Sequence, residues 1–531
     1  MRYDPPSAAK ANPFGDAARS ADYTHHVIVV LIVSFIARLV AVRFLDLTFM
    51  ETYGAVVARN PSISFFDQPP LTWWTIAGVM RLFGSDDAVI VRLPFLVMSV
   101  VSGWLIYLIT LRIFNSRAGL YAVCAYSLSP LLGLSDGSLA QTNGPMTLFI
   151  LAALLAFLHI DFAARRMQDN GIWFACAFLF GCALASKYLA VLLVPGLLVA
   201  VASQAEGRRW LLRPATYFGL VFLLLPLLPV IIWNAEHGWV SFLYQGARAE
   251  GNGSVNLTRA FRWTLTQVMI VHPLVLFPAF YMLYRSLRNG PREAGPWLLA
   301  CLAAPVLLFI LGVMVWSSHP LRGYHWASMG YLPLLPLVGA WADGLAASDR
   351  PDAARRWLAT LAATTILAIG LLLLHAFTGW AERVAPAKAF RNQDPILLEL
   401  YDWSDLPSAL NARGVDPART FIAATRWEDC AKAFYAIRQQ FRSLCLAGDN
   451  IHFTYLADPA RFRGMDAIIV DRYANPDAIR YNLDGHFETF SEDSPIRLTF
   501  NGRKMHDLKV VRASRFDGTW PKPRIGAKGR Q

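Results

Sequence analysis

Two carboxylates stand close together in the stretch "FMETYGAVVARNPSISFFDQPPLTWW", residues 49–74. Glu51 opens an amphipathic run, with Tyr53 two positions on and apolar neighbours on both sides. Asp67 sits between Phe65-Phe66 and the Pro69-Pro70 pair, whose fixed φ sets the direction of the chain. A carboxylate held beside aromatics at a lipid–water boundary suits a general base acting on a hydroxyl. The plain alternative is a solvated loop acid, and Asp86 and Asp87 are read that way. Lys187 lies between two apolar blocks with almost no loop. There it either snorkels to the interface or holds a phosphate in a partly dry place. Arg322 and His325, in "HPLRGYHW", offer the same choice. Glu236 and His237, in "WNAEHGW", either stabilise a turn or touch a substrate. His272, in "MIVHPLVLF", reads as a packing residue near a proline kink.

The elements that must position these groups are apolar. Of 531 residues, 55% are hydrophobic and 16% charged, where a soluble chain of this size carries about a quarter charged residues. Apolar blocks recur near 26–45, 88–112, 118–135, 145–163, 171–186, 188–203, 214–233, 263–284, 296–316, 325–346 and 357–378, which predicts about eleven membrane spans. Net charge is +12, but the cations cluster in short connectors rather than forming a nucleic-acid patch. Arg112 and Arg117, Arg165 and Arg166, and Arg208, Arg209 and Arg213 occupy alternate loops. Arg285, Arg288 and Arg292, then Arg350, Arg355 and Arg356, continue the series. Positive loops stay inside, so the N-terminus is expected in the cytoplasm and the C-terminus outside. No small-residue cleavage site follows the first apolar run, which reads as a retained span. Residues 51–59 and 70–83 are expected as short helices lying in the interface, the second carrying Trp73 and Trp74.

From about residue 380 the composition turns polar and mixed. "RTFIAAT", "MDAIIVD" and "HDLKVVRA" read as strands and "EDCAKAFYAIRQQF" as a helix, which predicts a small α/β domain outside the membrane. The expected organisation is a cytoplasmic tail over 1–25, a transmembrane domain over 26–379, an extracytoplasmic α/β domain over 380–515 and a disordered tail over 516–531. The six cysteines have no metal-ligand spacing. Four fall in apolar blocks, while Cys430 and Cys445 either pair in an oxidising compartment or remain thiols.

Several motifs together resemble a known family. "METYG", "FFDQPPL", "LFG" and "VRLP", then "LSP", "NGPMTLF", "SKYLAVLLVPG" and "PVIIWNAEHGWVSFLYQ" are similar to the membrane glycosyltransferases of the dolichyl-phosphate-mannose–protein mannosyltransferase type. The resemblance includes the bacterial aminoarabinose and galacturonic acid lipid A transferases and covers roughly residues 26–346. It implies a GT-C-like, α-helical polytopic fold in the bacterial inner membrane. It also implies transfer of a sugar from a polyprenyl-phosphate carrier, with inversion, to a lipid, glycan or protein acceptor at the periplasmic face. On that basis Glu51 is the base or its helper and Asp67 orients the acceptor or sugar. Lys187 and Arg322 bind the donor phosphate with His325, and Tyr53, Asn143, Tyr188, Glu236 and His237 contact substrate. No cofactor or metal ligand is assigned, a divalent metal stays an option, and the partners are membrane lipids rather than nucleic acid. Two positions depart from the family pattern: Met50 stands where an Asp is usual, and Gln141-Thr142-Asn143-Gly144-Pro145 where Thr-Pro-Asp-Ala-Pro is usual. Glu51 or Asp67 would then serve as base, with Asp136 and Asp46 as more distant candidates. The competing readings are a non-catalytic member that binds polyprenyl phosphate or partners another transferase, and a transporter, which would place polar residues near mid-membrane.

Overall fold

The computed structural model describes residues 22–162, 167–249, 255–316, 321–350, 352–384, 397, 399–449 and 451–521. Of the expected terminal tails, residues 1–21 and 522–531 lie outside the described residues. The chain divides into two compact units, each assembled from separate stretches.

The first unit comprises residues up to Leu39, Ile63–Thr72 and Leu93–Leu367. Its helices are apolar on nearly all sides, the pattern of segments solvated by lipid. Across the described residues, five helices are long and apolar enough to cross a membrane: Thr24–Arg43 (α1), Ala88–Ile113 (α4), Pro214–Glu236, Ala294–Trp316 and Asp352–Thr378. Three further pairs meet the same test but are bent by 74°, 120° and 110°, and three shorter apolar helices lie at Asn143–Phe157, Asp169–Leu184 and Leu334–Ala346. Each of the eleven apolar blocks in the sequence falls on one of these. Small residues allow close packing between them. A Cβ on Gly196 would lie 1.9 Å from the carbonyl oxygen of Cys301, so only glycine fits there.

The bends have local causes. At the first, Pro130 brings no backbone donor, and the Ser129 hydroxyl accepts from Leu132 N at 3.3 Å while donating to Val271 O at 3.0 Å. At the third, His272 takes φ 87° and its Nδ1 accepts from Leu274 N at 3.1 Å. His272 is therefore a helix cap at a break, not the packing residue its apolar surroundings predicted. Arg38, 5% exposed inside α1, donates through Nη1 to Ser99 Oγ and through Nη2 to Ser127 O at 3.3 Å, steadying the helix end just before the Pro130 bend.

The second unit comprises Val40–Ser62, Trp73–Arg92 and the chain from Ala368. It holds the two short helices, Phe49–Ala58 (α2) and Leu71–Phe83 (α3, from Trp73 on), and a five-stranded sheet. The strands are Thr420–Ala424 (β1), Arg442–Cys445 (β2), Asp466–Asp471 (β3), Thr489–Phe500 (β4) and Arg503–Ser514 (β5), in the order β2-β1-β3-β5-β4. The first three run parallel and the last two antiparallel to their neighbours. Buried strands β1 and β3 read as continuous apolar runs, as central parallel strands do. Cys430 and Cys445 form a disulfide joining helix Trp427–Ile437 to the end of β2. Closing a loop with a sequence separation of 15 is worth about 3 kcal/mol in the chain-entropy account.

Candidate functional site

In the first unit, helix breaks bring four polar side chains together. Lys187, 4% exposed, starts the irregular turn Tyr188–Leu193, and its Nζ donates to Asn143 Oδ1 at 2.5 Å. Asn143 opens helix Asn143–Phe157, and its Nδ2 donates to Asp136 Oδ1 at 2.8 Å and to Ser328 Oγ at 3.3 Å. One amide therefore accepts from a cation and donates to a carboxylate, an arrangement that a carboxylate at position 143 could not reproduce. Asp136 stands just beyond the Pro130 bend, and Gly137 lets the backbone pass closely there, since a Cβ would lie 2.5 Å from Ser99 Oγ. Asp136 and Asn143 are buried and Ser328 is inaccessible. Burying this chain in an apolar unit is costly unless each member is hydrogen-bonded.

Asp67 lies in the same unit and is 3% exposed. Its loop is held by helix Val240–Ala249: Ser241 Oγ donates to Phe65 O at 3.3 Å, Gln245 Nε2 donates to Asp67 O at 2.5 Å, and Tyr244 packs on Phe66. Tyr188 stands beside Ser241 and within electrostatic reach of Asp67. Asn234, which had no local signal in the sequence, organises that helix. Its Nδ2 donates to Val230 O and its Oδ1 accepts from Ser241 N. His237 caps the preceding helix, stacked on Trp233 with its Nδ1 at 2.7 Å from Trp233 O, while Glu236 is exposed at that helix end. His325 is half-buried edge-on to Tyr324, and the Arg322 side chain lies outside the described residues.

Glu51 and Tyr53 belong to the second unit. Thr48 and Glu51 form a capping box: Glu51 Oε2 accepts from Thr48 N at 2.8 Å, and Thr48 Oγ1 accepts from Glu51 N at 3.4 Å. Arg92 grips the same carboxylate, Nε to Oε1 at 2.7 Å and Nη2 to Oε2 at 2.8 Å. The guanidinium also donates to Leu45 O at 2.5 Å, Asp46 O at 2.7 Å and Val42 O at 3.3 Å. Glu51 thus fastens the segment that follows α1. Tyr53 is fully buried among Trp73, Trp427 and Phe453. Sequence reasoning missed Arg92 because it lies 41 residues from Glu51 with no local signal. The Thr48-to-Glu51 spacing, in contrast, was a legible capping box. Among the described residues no cluster of three or more His, Cys, Asp or Glu side chains fits a metal ion.

Residues 67–233 match the family described as dolichyl-phosphate-mannose-protein mannosyltransferase. Over that stretch the chain is similar to this family, and it has the GT-C fold. A lipid A galacturonosyltransferase of Rhizobium johnstonii is 23% identical over 351 residues, covering 63% of this chain and 71% of the relative. An undecaprenyl phosphate-aminoarabinose arabinosyl transferase of Pectobacterium carotovorum is 24% identical over 338 residues, 60% of this chain and 57% of the relative. Among solved structures, ArnT from Cupriavidus metallidurans bound to undecaprenyl phosphate superposes with a TM-score of 0.60 at 15% identity, covering 92% of this chain and 98% of the other.

Proposed function

We propose that this protein is an integral glycosyltransferase of the bacterial inner membrane that moves a sugar from a polyprenyl-phosphate donor to a lipid acceptor of the lipid A kind. The single observation that carries the reading is the enclosed Lys187–Asn143–Asp136 chain at helix breaks within a membrane unit, supported by similarity to a lipid A galacturonosyltransferase and to a transferase named for an undecaprenyl phosphate-linked aminoarabinose. Charged side chains in that setting are rare and mark a functional site by default. Lys187 holds the donor phosphate through a charge-assisted hydrogen bond and offsets the charge that develops as the sugar leaves, with Arg322 and His325 assisting. Asp67, directed by Pro69-Pro70 and steadied through Gln245, takes the acceptor proton. Asn143, Tyr188, Glu236 and His237 shape the substrate surroundings, with Asp136 setting the Asn143 amide. Glu51 and Tyr53 hold α2 within the second unit. The two neutral positions, Met50 and Asn143, favour a second reading in which the protein binds donor without turnover.

The organisation follows from the same reading: a transmembrane domain over 26–379 and a periplasmic α/β domain over 380–515, with the N-terminus cytoplasmic. The alternating Arg-rich loops support it, as does the Cys430–Cys445 disulfide, which persists in an oxidising compartment. A phosphatase fused after residue 400 should be active; silence there with an active cytoplasmic reporter would reverse the orientation. The site is tested by two variants in lipid nanodiscs. Lys187→Ala should weaken undecaprenyl phosphate binding about tenfold or more. Asp67→Asn should keep that binding and lower turnover roughly 10²–10⁴-fold. Unchanged affinity in the first variant would return Lys187 to an interfacial lysine; binding without turnover in the wild type would establish the second reading.

A further inference from the structure

The C-terminal sheet has a crevice that is already filled by the chain itself. Its parallel strands are ordered β2-β1-β3, so the chain passes from β1 to β2 on one side and then crosses to β3 on the other, and the carboxyl ends of β1 and β3 bound the place where such sheets take ligands. Here that place holds Thr425, Asp471 and Arg472. Asp471 Oδ1 accepts from Tyr473 N and Ala474 N, both at 2.7 Å, and its Oδ2 accepts from Thr425 Oγ1. The Arg472 guanidinium, ion-paired with Asp429, lies 4.1 Å from the centre of the Phe49 ring at the start of α2. Lys432, 2% exposed on the same helix as Asp429, donates to three carbonyls: Leu47 O, Tyr401 O at 2.7 Å and Glu399 O at 2.9 Å. Two chain segments, one just before α2 and one at residues 399–401, converge on that single ammonium.

We propose that Lys432 is the latch of α2, holding the start of that helix, with its Met50-Glu51 motif, in the socket that other α/β sheets use for a ligand. The role requires a cation with three N–H groups. A neutral amine keeps two, and its lone pair would face a carbonyl oxygen, so at least one of the three contacts must open. A guanidinium is planar and wider, and does not reproduce a three-way grip. Leu47 directly precedes Thr48, the cap of α2, so release at Leu47 loosens the capping box and the Glu51–Arg92 pair behind it. The geometry is poised to respond near neutral pH. Burial pulls the Lys432 ammonium down to about 7, while Asp46, Glu399 and Asp402 hold it up and Arg472 adds to the downward pull. Arg92 faces Asp46, and Glu428 and Glu51 face Glu399.

The test is a measurement independent of transfer. Hydrogen exchange of full-length protein in nanodiscs, expressed as protection factors corrected for intrinsic rates, is followed for residues 44–60 at pH 6 and pH 8.5. Wild-type protection there should fall about tenfold or more at the higher pH. Lys432→Met, which keeps the stem and removes the charge, should show the low value at both, while β1 and β3 stay protected. Full protection of 44–60 in Lys432→Met, or wild-type protection that does not change with pH, overturns the proposal. If the variant exposes β1 and β3, the wild-type pH series alone decides. A wild type that shows the exchange behaviour but never transfers a sugar would sink the transferase reading and leave Lys432 as the residue that seats α2.

Discussion

Arg92 and Glu51 form a two-pronged ion pair, with N–O distances of 2.7 and 2.8 Å and both side chains sealed from solvent. Every oxygen lone pair that faces Arg92 or the Thr48 amide is one less for an incoming proton. The pair therefore acts as a fastening between α2 and the segment leaving α1. Glu51→Gln leaves a buried guanidinium without its anion, a loss on the order of 3–5 kcal/mol. The expected result is a drop in Tm of several degrees together with any loss of turnover. Near-normal Tm with abolished turnover would instead make Glu51 the base.

Asn143 sets the electrostatics of the other cluster. Asn143→Asp places a second carboxylate 2.8 Å from Asp136 and beside Lys187. Two like charges at that distance cannot both ionise freely, so one takes a proton. The remaining charge competes with phosphate for the lysine. Undecaprenyl phosphate affinity, measured by lipid-exchange titration, should fall several-fold, and the fall should be larger at pH 8 than at pH 6. Tighter binding in the variant would contradict the role given to Lys187.

Asp46 supplies a pH signature of its own. Burial, with Asp402 nearby, pushes its carboxyl up to about 6, against Lys432 and Arg92, which pull it down. A folded-state value above the unfolded one means that the folded protein binds the extra proton between about pH 4 and 6. The stability this contributes is complete below pH 4 and is lost as pH rises through 6. In Asp46→Asn that pH dependence disappears. Relative to wild type, the variant should therefore gain more Tm at pH 8 than at pH 5, by a few degrees. Parallel pH curves for the two proteins would show that Asp46 does not titrate in this range.

Much of the fold was legible because lipid imposes one pattern on every span. The eleven apolar blocks, the α2 and α3 helices, strands β1, β3 and β5 and the helix Trp427–Ile437 all follow from hydrophobic period and length. Strand β4 escaped because "TFSEDSPIRLTF" is polar, contains Pro495 and carries a register shift between Asp493 and Ile496, features of an exposed edge strand. Strand β2 escaped because its four residues give no period. Within the site, Lys187 and Asn143 were visible as polar residues at the ends of apolar blocks. Their hydrogen bond, 44 residues apart, was not, nor was Lys432, which sits in an ordinary helical pattern and gains meaning only from carbonyls brought to it by distant segments.

Transfer of a sugar from a polyprenyl phosphate to an envelope acceptor leaves a covalent mark on the acceptor. Mass spectrometry of envelope lipids, glycans and proteins from wild type, a deletion strain, and the deletion strain complemented with wild type or Lys187→Ala tests it most directly. A sugar-sized mass on an envelope lipid should vanish on deletion, return with wild type and stay absent or strongly reduced with Lys187→Ala. Identical lipid, glycan and protein-linked masses in wild type and deletion strain, grown under conditions where the protein is made, would contradict it.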